Sequence, residues 1–160
     1  MKNELVVMEE VLIRKATVAD LPALLNFEQG VIAFERPFDP TLAEDPISYY
    51  DLREMIISED AEVLVGEYLG ELIASGYAQI KTAKAYLNFE KYAYLGFMFT
   101  APESRGKGVN KKIIDGLKAW SIAKNLKEIR LTVYEENENA IKAYEKVGFK
   151  KHIIEMRLED

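Results

Sequence analysis

The segment YAYLGFMFT (residues 92–100), followed by APESRGKGVN (residues 101–110), decides the fold of this chain. No charged side chain interrupts residues 92–100 and neither alternate face is polar, so the segment is predicted to be a central β-strand covered on both sides. A proline then ends the strand, and a Gly-Lys-Gly turn leads into a helix. Strand alternation assigns to one face Ala93, Leu95, Phe97 and Phe99, and to the other Tyr92, Tyr94, Gly96, Met98 and Thr100.

The turn after this strand has the composition of an anion-binding site. Gly106 and Gly108 lack a Cβ, so backbone N–H groups can close around phosphate oxygens. The following helix offers unpaired N–H groups and the positive end of its dipole, and Arg105 and Lys107 add positive charge. The turn is neither a Walker loop, because Gly-Lys-Ser/Thr is missing, nor a dinucleotide fingerprint, which follows the first strand. A solvated strand-to-helix turn is the alternative interpretation.

The rest of the chain predicts a β-α-α-β-β-β-α-β-α-β order and one domain over residues 1–160. Thr17 is placed to cap the first helix, with Asp20 and Pro22 in its first turn, and Gly148 to end the last one. Strands are predicted at residues 11–16, 61–68, 72–82, 92–100, 127–134 and 149–158, and helices at residues 17–34, 48–57, 107–124 and 137–147.

The composition excludes several classes of function. The chain has 160 residues, a formal net charge of −6, no cysteine and a single histidine, His152. The negative charge argues against a nucleic-acid partner, and the missing cysteines exclude disulfides and a cysteine nucleophile. We expect no metal site, and we expect His152 to be a surface or strand residue. Residues 1–10 lack a signal-peptide core and no apolar run is long enough to span a membrane, so we expect a cytoplasmic protein without a membrane partner.

A second pattern lies near the C-terminus. Asn137, Ala140 and Tyr144 are spaced by three and four residues, so on a helix they share one face. Ala140 leaves space between the two polar side chains, and a slender ligand could lie along that face. The alternative is a helical core face that Asn137 caps and the Tyr144 ring packs.

These two segments resemble the GNAT superfamily of N-acetyltransferases. The pyrophosphate loop of that family has the pattern Gln/Arg-x-x-Gly-x-Gly/Ala, which Arg105 and Gly108 match, whereas Asn110 stands where the family has a small residue. Residues 137–149 are similar to the family pattern Asn-x-x-Ala-x-x-x-Tyr-x-x-x-Gly-Phe. The resemblance implies a single-domain α/β (α+β) fold, in which helices flank a mixed central sheet with splayed central strands.

The resemblance also implies an acetyl-CoA-dependent N-acetyltransferase that transfers acetyl directly to a primary amine. Backbone N–H groups of the bulged central strand, by position those of Met98, Phe99 and Thr100, would bind pantetheine and polarise the acetyl carbonyl. Tyr144 would donate a proton to the departing thiolate. The cofactor-binding residues implied are Met98, Phe99, Thr100, Arg105, Gly106, Lys107, Gly108, Val109, Asn110, Asn137 and Tyr144.

The sequence leaves the general base open, because the central strand carries no carboxylate. Glu35 and Glu90 are candidates, and Tyr94 could relay a proton through water. The loop after the first helix is acidic and partly aromatic, which suits a cationic amine or else forms a solvated rim. This loop contains Glu35, Phe38, Asp39, Glu44 and Asp45.

The acceptor and the assembly state also remain open. A closed pocket would favour a small-molecule amine, whereas an open groove would favour a protein lysine or N-terminus. A non-catalytic acyl-CoA-binding module is the alternative function. The family suggests a possible homodimer.

Overall fold

A five-stranded mixed sheet forms the middle layer of the computed structural model, which describes residues 10–159. The strands lie across the sheet in chain order: β1 (Leu12–Lys15), β2 (Ala61–Tyr68), β3 (Glu71–Thr82), β4 (Lys91–Thr100) and β5 (Ile129–Leu131). The α-helices are α1 (Leu21–Glu35), α2 (Leu52–Ile57), α3 (Val109–Ala123) and α4 (Glu138–Lys146). Short 3-10 turns occupy Val18–Asp20, Arg36–Phe38 and Pro102–Ser104.

The strand directions follow from the connections between them. Strands β1 to β4 pair antiparallel with their neighbours, whereas β5 pairs parallel to β4 after the crossover through α3. The predicted mixed α/β fold with flanking helices is therefore confirmed. Within residues 10–159, no helix combines the length and the apolar composition that a bilayer crossing requires.

Two hydrophobic cores cover the sheet. The α3 core contains Val109, Ile113 and Leu117, each no more than 1% exposed. Leu24 of α1 and Leu52 of α2 belong to the second core. Strand β4 contributes to both cores, so it is covered on its two faces as its apolar sequence predicts.

A β-bulge interrupts the second half of β4. Across the ladder to β3, Ser75 lies opposite Phe99, whereas Tyr77 lies opposite Gly96. Three steps along β4 therefore match two steps along β3, which leaves one extra residue in β4. Phe97 takes up this extra residue with a positive φ of 57°, a conformation that is uncommon for a bulky side chain.

The bulge overturns the predicted face assignment beyond Gly96. Leu95 packs in the α3 core, but Phe97 packs in the core shared by α1 and α2. Met98 then returns to the α3 side. The prediction assumed uninterrupted alternation, and one additional residue exchanges the faces of all that follow.

The second helix begins at Leu52, four residues later than predicted. Glu28 of α1 is 1% exposed and accepts hydrogen bonds from the Tyr49 and Tyr50 amides at 3.0 and 2.9 Å. The Ser48 hydroxyl donates to the same carboxylate at 3.2 Å. These bonds hold residues 48–50 in an irregular conformation. The helix was predicted to begin earlier because Glu28 lies at least 20 residues away in the chain, and so distant a partner does not affect the local apolar periodicity.

The predicted strand at residues 149–158 is wrong, because this segment pairs with no strand among the described residues. Its large apolar side chains, Ile153, Ile154, Met156 and Leu158, are 75 to 94% exposed. Phe149 alone packs inward, against Tyr144 and the α3 core. Alternating apolar residues suit a strand, but a strand also needs an edge to pair with. His152 is exposed in this segment.

Thr17 and Asp20 form a capping box around the 3-10 turn Val18–Asp20, so Thr17 caps this turn, and Asp20 is the N-cap of α1 itself. Asp20 accepts a hydrogen bond from the Thr17 amide at 2.8 Å and a two-pronged bond from Arg14 at 2.8 and 2.9 Å. The Arg14 guanidinium, more than the Thr17 amide, lowers the pKa of Asp20 from 3.8 to about 2. The ionised carboxylate is therefore favoured by folding, and its contribution is present above pH 3.8 and lost as the pH falls towards about 2.

We expect Asp20→Asn to lower the free energy of unfolding at pH 7 by about 1 to 2 kcal/mol, because the ion pair and the cap are both weakened. Urea titrations at pH 7 and at low pH should show this difference shrinking as the pH approaches about 2. The control is Asp115→Asn, which breaks an exposed pair with Lys111 and should cost less than about 0.5 kcal/mol. Equal costs for the two variants at pH 7 would contradict this account.

We expect Glu28→Gln to lower the free energy of unfolding by about 1.5 to 3 kcal/mol, because an amide cannot accept all the bonds that the buried carboxylate accepts. Hydrogen exchange at the Tyr49 and Tyr50 amides should accelerate as well. The exposed Glu59→Gln serves as the control and should change neither quantity. Unchanged exchange at both tyrosine amides would show that Glu28 does not hold this loop.

Candidate active site

A cavity of about 600 Å³ opens between the second half of β4 and the segment that follows β5. Residues 95–100 form one wall, and residues 131–134 form the opposite wall with the first turns of α4. The end of α1 and the loop before α2 cover one end through Glu35, Leu42 and Tyr49. The volume lies in the range of small-molecule sites.

The cavity exists because β4 and β5 separate. Their parallel ladder runs from Ala93 to Leu95 on β4 and goes no further. Beyond Leu95, β4 keeps its pairing with β3 but has no ladder partner on the β5 side among the described residues. The predicted splaying of the central strands is therefore present, and Met98, Phe99 and Thr100 line the opening.

Buried groups hold the bulge that accompanies this separation. The Ser75 hydroxyl, fully buried on β3, donates to the Phe97 carbonyl at 3.1 Å. The Tyr50 hydroxyl interacts with the Phe97 backbone. Gly96 is needed beside them, because a Cβ at that position would lie 2.5 Å from the Tyr77 hydroxyl. Ser75 and Tyr50 are site residues that no local sequence pattern predicted.

The glycine turn predicted to bind an anion lies at the end of β4. Gly106 and Gly108 have φ angles of 75° and 81°, and both line the cavity. Gly108 is the N-cap of α3, so Val109 and Asn110, which also line the cavity, lie in the first turn, where helix N–H groups lack intrahelical acceptors. This geometry is that of an anion-binding helix N-terminus.

The two basic residues of the turn differ in placement. Arg105 lines the cavity, and its Nε donates to the Thr100 carbonyl at 3.0 Å. Lys107 does not line the cavity, and its Nζ donates to the Glu103 carbonyl at 3.1 Å. The structure therefore brings Arg105 to the cavity, whereas the Lys107 side chain bonds to the Glu103 carbonyl outside it.

Ser104 is a site residue that the sequence analysis missed. It is 1% exposed and lines the cavity, and its hydroxyl has no hydrogen-bond partner among the described residues. A buried hydroxyl without a partner is costly, so a ligand that bonds to it gains affinity. The sequence around Ser104 did not predict this role, because a serine before a glycine turn is common.

Asn137 and Tyr144 line the cavity together, as the helical spacing predicts. Asn137 caps α4, and its side chain accepts a bond from the Ala140 amide at 3.3 Å. Tyr144 is half-buried, with its ring edge-on to Phe149. Burial, together with the charge of Glu35, raises the pKa of Tyr144 to about 12, so its proton stays in place at neutral pH.

Glu35 is the carboxylate that the structure brings to the cavity. Burial raises the pKa of Glu35, and the nearby charge of Asp39 acts in the same direction. The Tyr49 hydroxyl faces this carboxylate and partly offsets the shift, although the two groups fall short of a formed hydrogen bond. Because Glu35 also perturbs Tyr144, the two groups lie within electrostatic reach of each other.

The other candidate bases are placed differently. Glu90 lies in the connection between β3 and β4, where it lines a separate surface depression formed by residues 82–91. The structure does not bring it to the cavity. Tyr94 does line the cavity, and its hydroxyl donates to Thr132 at 2.8 Å.

Apart from Glu35, the acidic side chains of the loop after the first helix do not line the cavity. Asp45 pairs with Arg36 at 2.7 Å. Asp39 accepts hydrogen bonds from the Thr41 and Tyr134 hydroxyls, which lower its pKa to about 2. Within residues 10–159, no group of three or more His, Cys, Asp or Glu side chains is placed to hold a metal ion.

Comparison with known proteins agrees with this geometry. The model of the acetyltransferase (GNAT) family matches residues 30–149. A Bacillus halodurans protein, solved as a tetramutant, has a TM-score of 0.80 at 21% identity over 92% of this chain and 99% of that one. No curated protein sequence matches significantly.

Two further solved structures share the fold. A Clostridium acetobutylicum protein, described as a predicted acetyltransferase and solved with acetyl-CoA, has a TM-score of 0.70 at 20% identity, covering 93% of this chain and 96% of that one. Glucosamine-6-phosphate N-acetyltransferase from Arabidopsis thaliana has a TM-score of 0.66 at 22% identity, covering 93% and 97%. Together, the match over residues 30–149, the splayed strands and the glycine turn lead to one conclusion: this chain belongs to the GNAT family of acetyltransferases.

Proposed function

We propose that this protein is an acetyl-CoA-dependent N-acetyltransferase that transfers acetyl directly to a primary amine. One observation carries the proposal: the bulge at Phe97 and the end of the β4 to β5 ladder open a cavity between the glycine turn and Tyr144. Four kinds of group thus surround one space: the glycine turn, the unpaired backbone of β4, the Tyr144 phenol, and the Glu35 carboxylate with its raised pKa. This set of groups suits the reaction of a thioester with an amine.

The residues around the cavity fit coenzyme A. The helix N-terminus at Gly108 and the Arg105 side chain would hold its pyrophosphate. The unpartnered Ser104 hydroxyl supplies a further polar contact inside the cavity. The strand backbone at residues 96–100, unpaired on its β5 side, can bond an extended amide chain as a strand edge does. When bound, acetyl-CoA would supply an acetyl group activated as a thioester.

The backbone N–H groups of Met98, Phe99 and Thr100 are the candidates for polarising an acetyl carbonyl. Fixed N–H donors stabilise negative charge on oxygen most strongly where water is excluded. The bulge places these residues on the cavity wall, and buried side chains hold it, so the donors would need little reorganisation.

Glu35 is the proposed general base. A substrate amine is mostly an ammonium ion at neutral pH and must lose a proton before it attacks. A carboxylate whose pKa is raised by burial accepts that proton more readily than an exposed one. Glu90 takes no part in this proposal, because it lies outside the cavity.

Tyr144 is the proposed donor to the leaving thiolate. Its raised pKa of about 12 keeps the phenol protonated, so the hydroxyl is available as a hydrogen-bond and proton donor throughout the neutral range. Direct transfer agrees with a chain that has no cysteine to carry an acyl group.

We expect Tyr144→Phe to lower kcat by at least about tenfold while leaving the Kd for acetyl-CoA nearly unchanged, because only the hydroxyl is lost. Thiol release from acetyl-CoA with a panel of amines measures kcat, and calorimetry measures Kd. The control is Tyr86→Phe, which alters a tyrosine that is 78% exposed. Wild-type turnover in Tyr144→Phe would refute its role, and cofactor binding without turnover on any amine would indicate a non-catalytic acyl-CoA-binding protein.

A further inference from the structure

Resting on the proposed function, we infer that the acceptor is a small primary monoamine with an apolar body and no anionic group. The acceptor would occupy the part of the cavity bounded by the end of α1, the loop before α2 and the segment after β5. Three properties of this space decide which amine fits: the charges that face it, the hydroxyls that are already bonded, and the volume that remains.

The charges on the cavity wall allow one ammonium group. Among the residues from 10 to 159 that line the cavity, only Glu35 and Arg105 are charged. Glu35 can therefore attract a single cationic centre. The sequence suggested a broader acidic rim, but Asp39, Glu44 and Asp45 do not line the cavity, and Asp45 is paired with Arg36. A second ammonium, as in a polyamine, finds no matching free carboxylate on this wall.

An acceptor with a phosphate or carboxylate would find no free cation among the described residues of the cavity wall. Arg105 bonds to the Thr100 carbonyl and lies 5.7 Å from the Phe34 ring centre, beside the turn proposed to bind pyrophosphate. Arg36 and Arg157 are paired with Asp45 and Glu159, at 2.7 Å each. Burying an anion beside Glu35 without a cation is unfavourable.

The aromatic wall favours an apolar body. The Tyr94 hydroxyl donates to Thr132, and the Tyr134 hydroxyl donates to Asp39. The Tyr50 hydroxyl meets the Phe97 backbone. With these polar ends used inside the protein, the rings present mainly apolar faces, which also attract a cation. Tyr49 differs from these three, because its buried hydroxyl has no formed hydrogen bond among the described residues and faces Glu35.

The space left for the acceptor is small. The cavity of about 600 Å³ would hold both the reactive end of the cofactor and the amine. Leu42, Tyr49 and Tyr50 line its loop side. A space of this size beside the cofactor suits a free small molecule better than a lysine presented on a folded protein surface.

The test compares three acceptors on the full chain with acetyl-CoA: phenethylamine as an apolar monoamine, spermidine as a polyamine, and glucosamine 6-phosphate as an amine with an anion. We expect kcat/KM for phenethylamine to exceed that for each of the others by about tenfold or more. A preference for spermidine or for glucosamine 6-phosphate would overturn the inference while leaving N-acetyl transfer intact. A thermal shift with acetyl-CoA tests cofactor binding separately, and its absence would overturn the proposed function itself.

Variants show whether the named groups cause this preference. Glu35→Gln should lower kcat/KM for phenethylamine by about a hundredfold and raise the melting temperature, because burial disfavours the ionised carboxylate. Glu44→Gln, an exposed acid of the same loop, should change neither quantity. Leu42→Arg adds a cation to the cavity wall and should raise kcat/KM for glucosamine 6-phosphate, whereas Leu25→Arg on the exposed side of α1 should not. Unchanged kcat/KM in Glu35→Gln would overturn the assignment of the single ammonium site.

Discussion

One extra residue in β4 determines the form of the site. Phe97 adopts a positive φ, and the Ser75 hydroxyl bonds to its carbonyl from the buried side of β3. This bulge coincides with the end of the β4 to β5 ladder, so strand backbone that would otherwise pair within the sheet lies open to a cavity. The strain of an unusual backbone conformation is tolerated because close packing fixes it, which is typical of functional positions.

Two titratable side chains of the cavity, Glu35 and Tyr144, lie where burial disfavours their ionised forms. Burial raises the pKa of Glu35, and Glu35 in turn helps to raise the pKa of Tyr144. Each shift means that the ionised form is less stable here than in water, and for Glu35 that cost falls on the folded state at neutral pH. Groups that weaken stability but suit proton transfer are expected at active sites, where function limits how far stability can be optimised. The buried and fully bonded Glu28 shows the contrast, since it fixes a loop.

Local patterns predicted the parts of this molecule that depend on short-range physics. The apolar strand, the glycine turn and the spacing of Asn137 and Tyr144 all depend on neighbours within one element, and the structure places them together. Contacts between residues far apart in the chain could not be predicted from the sequence, such as the Ser75 bond to the bulge and the Glu28 contacts that shift the start of α2. The burial of the Ser104 hydroxyl without a partner was likewise not predictable. The prediction of a strand at residues 149–158 was wrong for the same reason. The alternating pattern shows that this segment could pair, but it does not show whether a strand edge is available to pair with it.

The proposed function requires the N-terminus of α3, beside the opened strand, to bind a pyrophosphate, and calorimetry tests this most directly. Wild-type protein would be titrated with acetyl-CoA and with acetyl-pantetheine, which has the thioester arm but no pyrophosphate. The account predicts one acetyl-CoA per chain and an affinity for acetyl-pantetheine that is weaker by about tenfold or more, because the groups at Gly108 and Arg105 lose their anion. Equal affinities, or no binding of either compound, would contradict it.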